Sequence, residues 1–210
     1  MVTRKKILIT AGPTWVAIDN VRVISNIATG WTGILLSKLL ADKKADVTLL
    51  LGPAEATFSD KRVNIIRFRF FEELSVLLKN ELKTGRFDAV IHSAAVSDYK
   101  PKKVYRKKVS SLLKSWEIKL IPTPKLIDQF SRAGNKILKV GFKFEPAIND
   151  KRLISEGKLL RKKSHLDLVV ANSMGKNGYR AFITGEKTIG PFASKIVMAK
   201  KLCELLDKTL

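Results

Sequence analysis

Hydrophobic positions fall into short unbroken runs separated by stretches of helical spacing. Residues 6–11 (KILITA) form an apolar run closed by Gly12-Pro13, the pattern of a parallel strand buried on both faces. Over 32–42, apolar residues recur at Ile34, Leu35, Leu36, Leu39 and Leu40, which predicts a helix. Residues 45–51 and 63–68 read as the second and third strands. Residues 72–83 read as an amphipathic helix, and 87–93 as a fourth strand carrying His92. This alternation implies a parallel sheet with right-handed crossovers.

The second half is less regular. Residues 99–115 are basic and aperiodic, which predicts a loop, and 116–121 alternate like a strand. Pro122-Thr123-Pro124 predicts a helix to about Arg132, with Thr123 as N-cap and Pro124 at the first helical position. A strand over 136–142, a helix over 147–163 and a buried strand over 166–171 follow. A hairpin over 180–189 turns at Gly185-Glu186, and a last helix runs from Pro191 onward with that proline at its first helical position. The expected fold is α/β, a doubly wound, Rossmann-like, mostly parallel sheet with a small β-hairpin or lid appendage, in one domain over 1–210.

Charge adds a constraint on partners. Forty Lys and Arg against nineteen Asp and Glu give a net charge of +21. Such a field attracts nucleic acid, acidic membrane surfaces or polyphosphate ligands. The cations are scattered, densest at 102–108 and 158–163, and no RNP, KH or zinc-finger pattern occurs, so no specific nucleic-acid partner is expected. The lone Cys203 makes neither an intrachain disulfide nor a multi-cysteine site, and His92 and His165 lie far apart, so no protein metal site is expected. No apolar stretch approaches the ~20 residues of a bilayer span, and the run after Arg4-Lys5-Lys6 is too short for a secretory leader. A cytoplasmic location without membrane contact is the expectation.

Candidate chemistry concentrates in 11–33, AGPTWVAIDNVRVISNIATGWTG. A strand runs into a glycine turn, and a second glycine pair precedes a helix, whose free N–H groups make Thr29-Gly30 suited to a phosphate. Spacing alone leaves open a simple glycine-tightened loop, since neither GxGxxG nor GK[ST] is present.

Gly12, Pro13, Thr14, Ile18, Asp19, Val21, Arg22, Ile24, Ser25, Asn26, Gly30 and Gly33 match the opening motif of the phosphopantothenate–cysteine ligase family, which this segment resembles. HSAAVSDYKP at 92–101, Gly141-Phe142 and LDLVVAN at 166–172 are similar to later motifs of that family, in the same order. Lys108-Val109-Ser110-Ser111, where many relatives carry KxKK, resembles the stand-alone bacterial type.

The resemblance implies a ligase that joins 4'-phosphopantothenate to cysteine through an acyl-nucleotidylate. It implies CTP, or ATP as in eukaryotic relatives, as co-substrate with Mg²⁺, and a homodimer. Asn26, Lys108 and Arg22 would be catalytic. Lys108 would meet triphosphate charge from a lid, Asn26 would hold the activated intermediate, and Arg22 would clamp phosphate or carboxylate. Gly12, Asp98, Phe142, Lys163 and Lys158 would bind nucleotide, and Thr29, Gly30, Ala94 and Ala95 would bind substrate. Val16, Ala28 and Trp31-Thr32 depart from the family, which has Glu, Ser and Lys-Met there. His92 reads as structural before it reads as a proton shuttle.

Two other readings share these features. One is a nicotinamide-dependent oxidoreductase, for which GxGxxG is missing and the Tyr99/Lys103 pair falls in a loop. The other is a non-catalytic basic protein that binds nucleotide or nucleic acid.

Overall fold

The computed structural model describes residues 4–53, 58–132, 137–176 and 178–210. The predicted apolar runs become the central strands: β1 (Lys6–Ala11), β4 (Asp46–Leu51), β5 (Val63–Arg67) and β6 (Ala89–His92), with helices α1 (Trp31–Asp42) and α2 (Phe71–Lys83) between them. Strands β9 (Leu138–Phe144), β10 (Leu168–Gly175), β11 (Gly178–Thr184) and β12 (Thr188–Phe192) extend the sheet, with α3 (Asp150–Lys163) and α4 (Lys195–Thr209).

The eight-stranded sheet has the order β12-β11-β10-β9-β6-β1-β4-β5. From β10 to β5 all neighbours are parallel, while β11 and β12 join antiparallel. From β1 the chain builds outward to β4 and β5, then returns to β6 and builds the other way. The reversal lies between β1 and β6, and the crevice beyond the carboxyl ends at such a reversal is the usual ligand position in sheets of this kind.

Alternate residues of each strand serve the two faces. Ile7, Ile9 and Ala11 of β1 pack with residues of α1 and α4, such as Leu36 and Leu202. Leu8 packs on the other face with Leu74 and Leu78 of α2 and with Phe130. Leu153 of α3 packs on Ala171 and Phe182 of that second face. No helix among the described residues is long and apolar enough to cross a membrane.

Several expectations are corrected. Residues 15–25 hold a short hairpin, β2 (Trp15–Ala17) against β3 (Val23–Ser25). Three-residue strands carry too little periodicity to be read from sequence. The stretch 99–115 is not a loop throughout: β7 (Tyr99–Pro101) pairs antiparallel with β8 (Leu120–Pro122), to which the expected strand at 116–121 shrinks. Thr123 is no helix cap. Its hydroxyl is buried and donates to the Ser97 carbonyl at 2.6 Å, and only a 3₁₀ helix follows, Leu126–Arg132. Helix α3 starts at Asp150, capped by Asn149, whose side chain accepts the Arg152 N–H at 2.9 Å. Ala147 has φ 51°, outside helical space. Pro191 lies in β12, and α4 is capped instead by Ser194, which accepts the Val197 N–H at 3.2 Å. Lys136, the expected start of β9, lies outside the described residues.

Candidate functional site

The crevice is framed by the loops after β1 and β6. Gly12 (φ 81°) turns the chain out of β1, and its carbonyl accepts the Ala95 N–H at 2.9 Å. The Ala95 carbonyl accepts Thr14 N–H at 3.3 Å, and a parallel bridge joins Pro13 to Ala95. Buried hydroxyls lock the two loops together. Ser97 N–H donates to Thr14 Oγ1 at 2.9 Å, and Thr14 Oγ1 donates to Ser97 Oγ at 3.1 Å.

Asn26, just past β3, completes this frame. Its Nδ2 donates to the carbonyls of Ala95 (3.2 Å) and Val96 (3.1 Å). Both amide hydrogens are therefore engaged on the loop after β6, and Oδ1 is the atom left to meet a ligand. Ala94 and Ala95 thus lie between Gly12 and Asn26.

Helix α1 starts at this frame. Gly30 is its N-cap at φ 72° and provides no side-chain cap, and the first turn holds no acidic residue. Thr29 Oγ1 accepts the Trp31 N–H at 3.3 Å. The positive end of the helix dipole is thus free to attract an anion. Glycine permits the approach: a Cβ on Gly33 would lie 2.4 Å from Ala11 Cβ and 2.9 Å from Ser93 Oγ.

Beneath the loops lies His92, buried at the end of β6. Its Nδ1 is 2.8 Å from Thr10 Oγ1, and its ring meets Phe130 edge-on at 5.4 Å. Burial pulls its pKa down to about 4, so the imidazole is neutral at pH 7.

The basic segment after β7 is folded back onto the β2–β3 turn. Asp19, fully buried at that turn, accepts Val21 and Arg22 N–H on Oδ1 (2.9 and 2.8 Å) and Val109 N–H on Oδ2 (3.1 Å). Burial alone would raise the Asp19 carboxyl, but the Val109, Val21 and Arg22 N–H groups and the Arg22 guanidinium together hold it below the ordinary carboxylate value. Arg22 Nη2 donates to the Val109 carbonyl at 3.0 Å, and its guanidinium lies 5.1 Å from the Trp116 ring centroid. In this arrangement one Arg22 nitrogen is held by the basic segment, so the side chain is not presented as an open clamp. Lys108, exposed, precedes Val109 and is carried to the turn of the hairpin whose open end holds Asn26.

Other expected residues are more dispersed. Asp98 is exposed and pairs with Lys125 at 2.6 Å. Phe142 is half-buried on the α1/α4 face, while Phe144, two residues on along β9, is the exposed aromatic of that strand end. Lys158 and Lys163 lie on α3, which runs back from the carboxyl ends. Lys163, in the last turn, is at the opposite end of the sheet, near the point where Asp167 N–H meets the Lys139 carbonyl. The fold does not bring Lys163 to the crevice of its own chain. Lys103 Nζ lies over the Tyr105 ring, 4.8 Å from its centroid. Sequence reading missed Thr14 and Ser97 as a locking pair and Asp19 as an anchor. All three fall within the quoted motifs, which was the available signal.

A family profile described as the DNA/pantothenate metabolism flavoprotein C-terminal domain matches residues 2–207. The chain is 29% identical over 215 residues to the coenzyme A biosynthesis bifunctional protein CoaBC of Thermococcus kodakarensis, covering 98% of this chain and 52% of that one. It is 33% identical over 211 residues to the protein of the same name from Borreliella burgdorferi, covering 96% and 52%. The chain thus spans about half the length of these curated relatives. Among solved structures, the DNA/pantothenate metabolism flavoprotein from Streptococcus pneumoniae shares the fold with a TM-score of 0.88 at 24% identity, covering 98% of this chain and all of that one (100%). A Cab2 mutant solved with phosphopantothenate-cysteine shares it with a TM-score of 0.78 at 15% identity, covering 97% and 87%.

Proposed function

The chain belongs to the family of the DNA/pantothenate metabolism flavoprotein C-terminal domain, and from that membership we propose that it joins 4'-phosphopantothenate to cysteine, with CTP as the activating nucleotide. The observation that carries the reading is convergence. Gly12, Asn26, Gly30 and Ala94-Ala95, drawn from separate motifs, meet at the reversal between β1 and β6. The relatives favour this reading over a dehydrogenase or a non-catalytic basic protein.

In the first step a carboxylate oxygen of phosphopantothenate attacks the α-phosphorus of CTP, and pyrophosphate leaves. In the second the cysteine amine attacks the acyl carbon of the mixed anhydride. CMP departs and the amine loses a proton. The uncapped start of α1 suits an anionic phosphate. Lys108 provides the cation that offsets charge gathering on the triphosphate. The Asn26 amide holds Ala95 and Val96 in place and offers an uncharged Oδ1 to the intermediate. Mg²⁺ enters with the triphosphate. Among the described residues no three His, Cys, Asp or Glu side chains converge to hold it separately. The protein acts as a homodimer in the cytoplasm, and ATP is the alternative nucleotide.

The test is pyrophosphate release with phosphopantothenate and each nucleotide, with and without cysteine, and mass spectrometry of the product. Release that needs no phosphopantothenate, or no amide product, would defeat the proposal.

A further inference from the structure

Asp19 makes more bonds than its turn requires. A carboxylate that shapes a tight turn needs one oxygen, and Oδ1 does this by accepting the Val21 and Arg22 N–H groups. The second oxygen reaches across the chain to Val109 N–H at 3.1 Å. The Val109 carbonyl in turn accepts from Arg22 Nη2 at 3.0 Å. Both backbone groups of one residue in the basic segment are thus held by one acid–base pair on the β2–β3 turn.

Neighbouring contacts extend the same seam. Tyr105 N–H donates to the Ile18 carbonyl at 3.0 Å. Tyr105 and Trp116 meet edge-to-face at 5.9 Å, with Arg22 over the Trp116 ring. The segment is therefore fixed at Tyr105, Val109 and Trp116, with Lys108 between the first two. Its own strong cationic content gives it little reason to fold back without such anchors.

We infer that Asp19 and Arg22 are positioning residues that latch the basic segment through Val109 and Trp116, and so set where Lys108 stands toward the anionic substrates. The latch rests on the contacts alone, and its service to Lys108 rests on the ligase reading above. Neither residue touches substrate in this scheme.

Asp19→Asn separates the latch from the turn. One amide oxygen still serves one side, but the NH₂ group must face either Val109 N–H or the turn N–H groups, donor against donor. Trp116→Leu loosens the same seam from the other side and leaves the turn whole, so it serves if Asp19→Asn fails to fold. Native-state trypsin digestion, with sites read by mass spectrometry, is expected to cut after Arg106, Lys107 or Lys108 about tenfold faster in either variant. In a background where Trp15 and Trp31 are Phe, Trp116 emission should shift with Asp19→Asn. The KM for CTP should rise about tenfold, with kcat at saturation within about threefold, because saturating nucleotide can still draw the segment closed.

Wild-type digestion in both variants, with Trp116 emission unshifted in Asp19→Asn, would overturn the latch. A loosened segment with unchanged KM and kcat would overturn its service to Lys108. A wild-type protein that releases no pyrophosphate would defeat the ligase reading, while digestion and emission would still decide the latch.

Discussion

Replacing Gly33 by alanine tests whether the start of α1 must press against β1. The added Cβ would lie 2.4 Å from Ala11 Cβ and 2.9 Å from Ser93 Oγ. Carbon atoms rest at about 3.5–4.0 Å, so the helix and strand must separate by about 1 Å. Ala11 is fully buried in the middle of the sheet and cannot retreat, so the first turn of α1 must move. Overpacking of this kind costs about 1–3 kcal/mol. Alanine recovers about 1 kcal/mol of helix propensity, which leaves a net loss of up to about 2 kcal/mol. For a chain of this length that lowers Tm by up to about 8 °C. The larger effect is on activity, because a 1 Å displacement of an anion-binding turn costs about 10²-fold in rate. Calorimetry and pyrophosphate release measure the two separately. A variant as stable as wild type that releases pyrophosphate at the wild-type rate would refute both the close approach and the role of the α1 start.

Lys108→Gln should lower pyrophosphate release by about 10²–10³-fold, with Tm unchanged because the side chain is exposed, as differential scanning fluorimetry will show. Asn26→Asp sets a carboxylate against the Ala95 and Val96 carbonyls. The repulsion shifts the frame that holds the intermediate, and a displacement of ~1 Å should slow amine attack by about 10²-fold, more than nucleotide transfer, so that acyl-nucleotide accumulates and is seen by mass spectrometry of quenched reactions. His92, held neutral by burial with a pKa of about 4 against 6.5 unfolded, contributes stability that is complete above about pH 6.5 and is lost as pH falls toward 4. The loss is roughly 3 kcal/mol, and urea midpoints at pH 7.5 and 4.5 should show it in wild type but not in His92→Gln. Light scattering at micromolar concentration should give a dimer mass.

The central strands were legible because burial on both faces leaves unbroken apolar runs, as in 6–11 and 45–51. Glycine pairs marked the loop that approaches the sheet. What sequence obscured was mostly set by tertiary contact. Thr123 follows a proline and precedes another, the local pattern of a cap, yet its hydroxyl goes to the Ser97 carbonyl. Arg22 has the chemistry of a phosphate clamp, but Val109, far along the chain, occupies it. The path of α3 decides that Lys163 is remote from the crevice, and a position in a motif carries no information about which end of a sheet a helix reaches.

The position of β1 also bears on how the chain acquires its structure. Ile7 pairs with Val47 on one side and with Ala89 on the other, so β1 is made before either neighbour and is flanked on both sides only once β6 has been made. At ~5–20 residues per second, translation leaves one edge of this apolar strand open for on the order of ten seconds. Pairings of such long sequence separation also form slowly once the chain is complete. The strand that ends at Gly12 is thus the segment a nascent-chain chaperone would meet, and the crevice at its end cannot exist before β6 has emerged and docked.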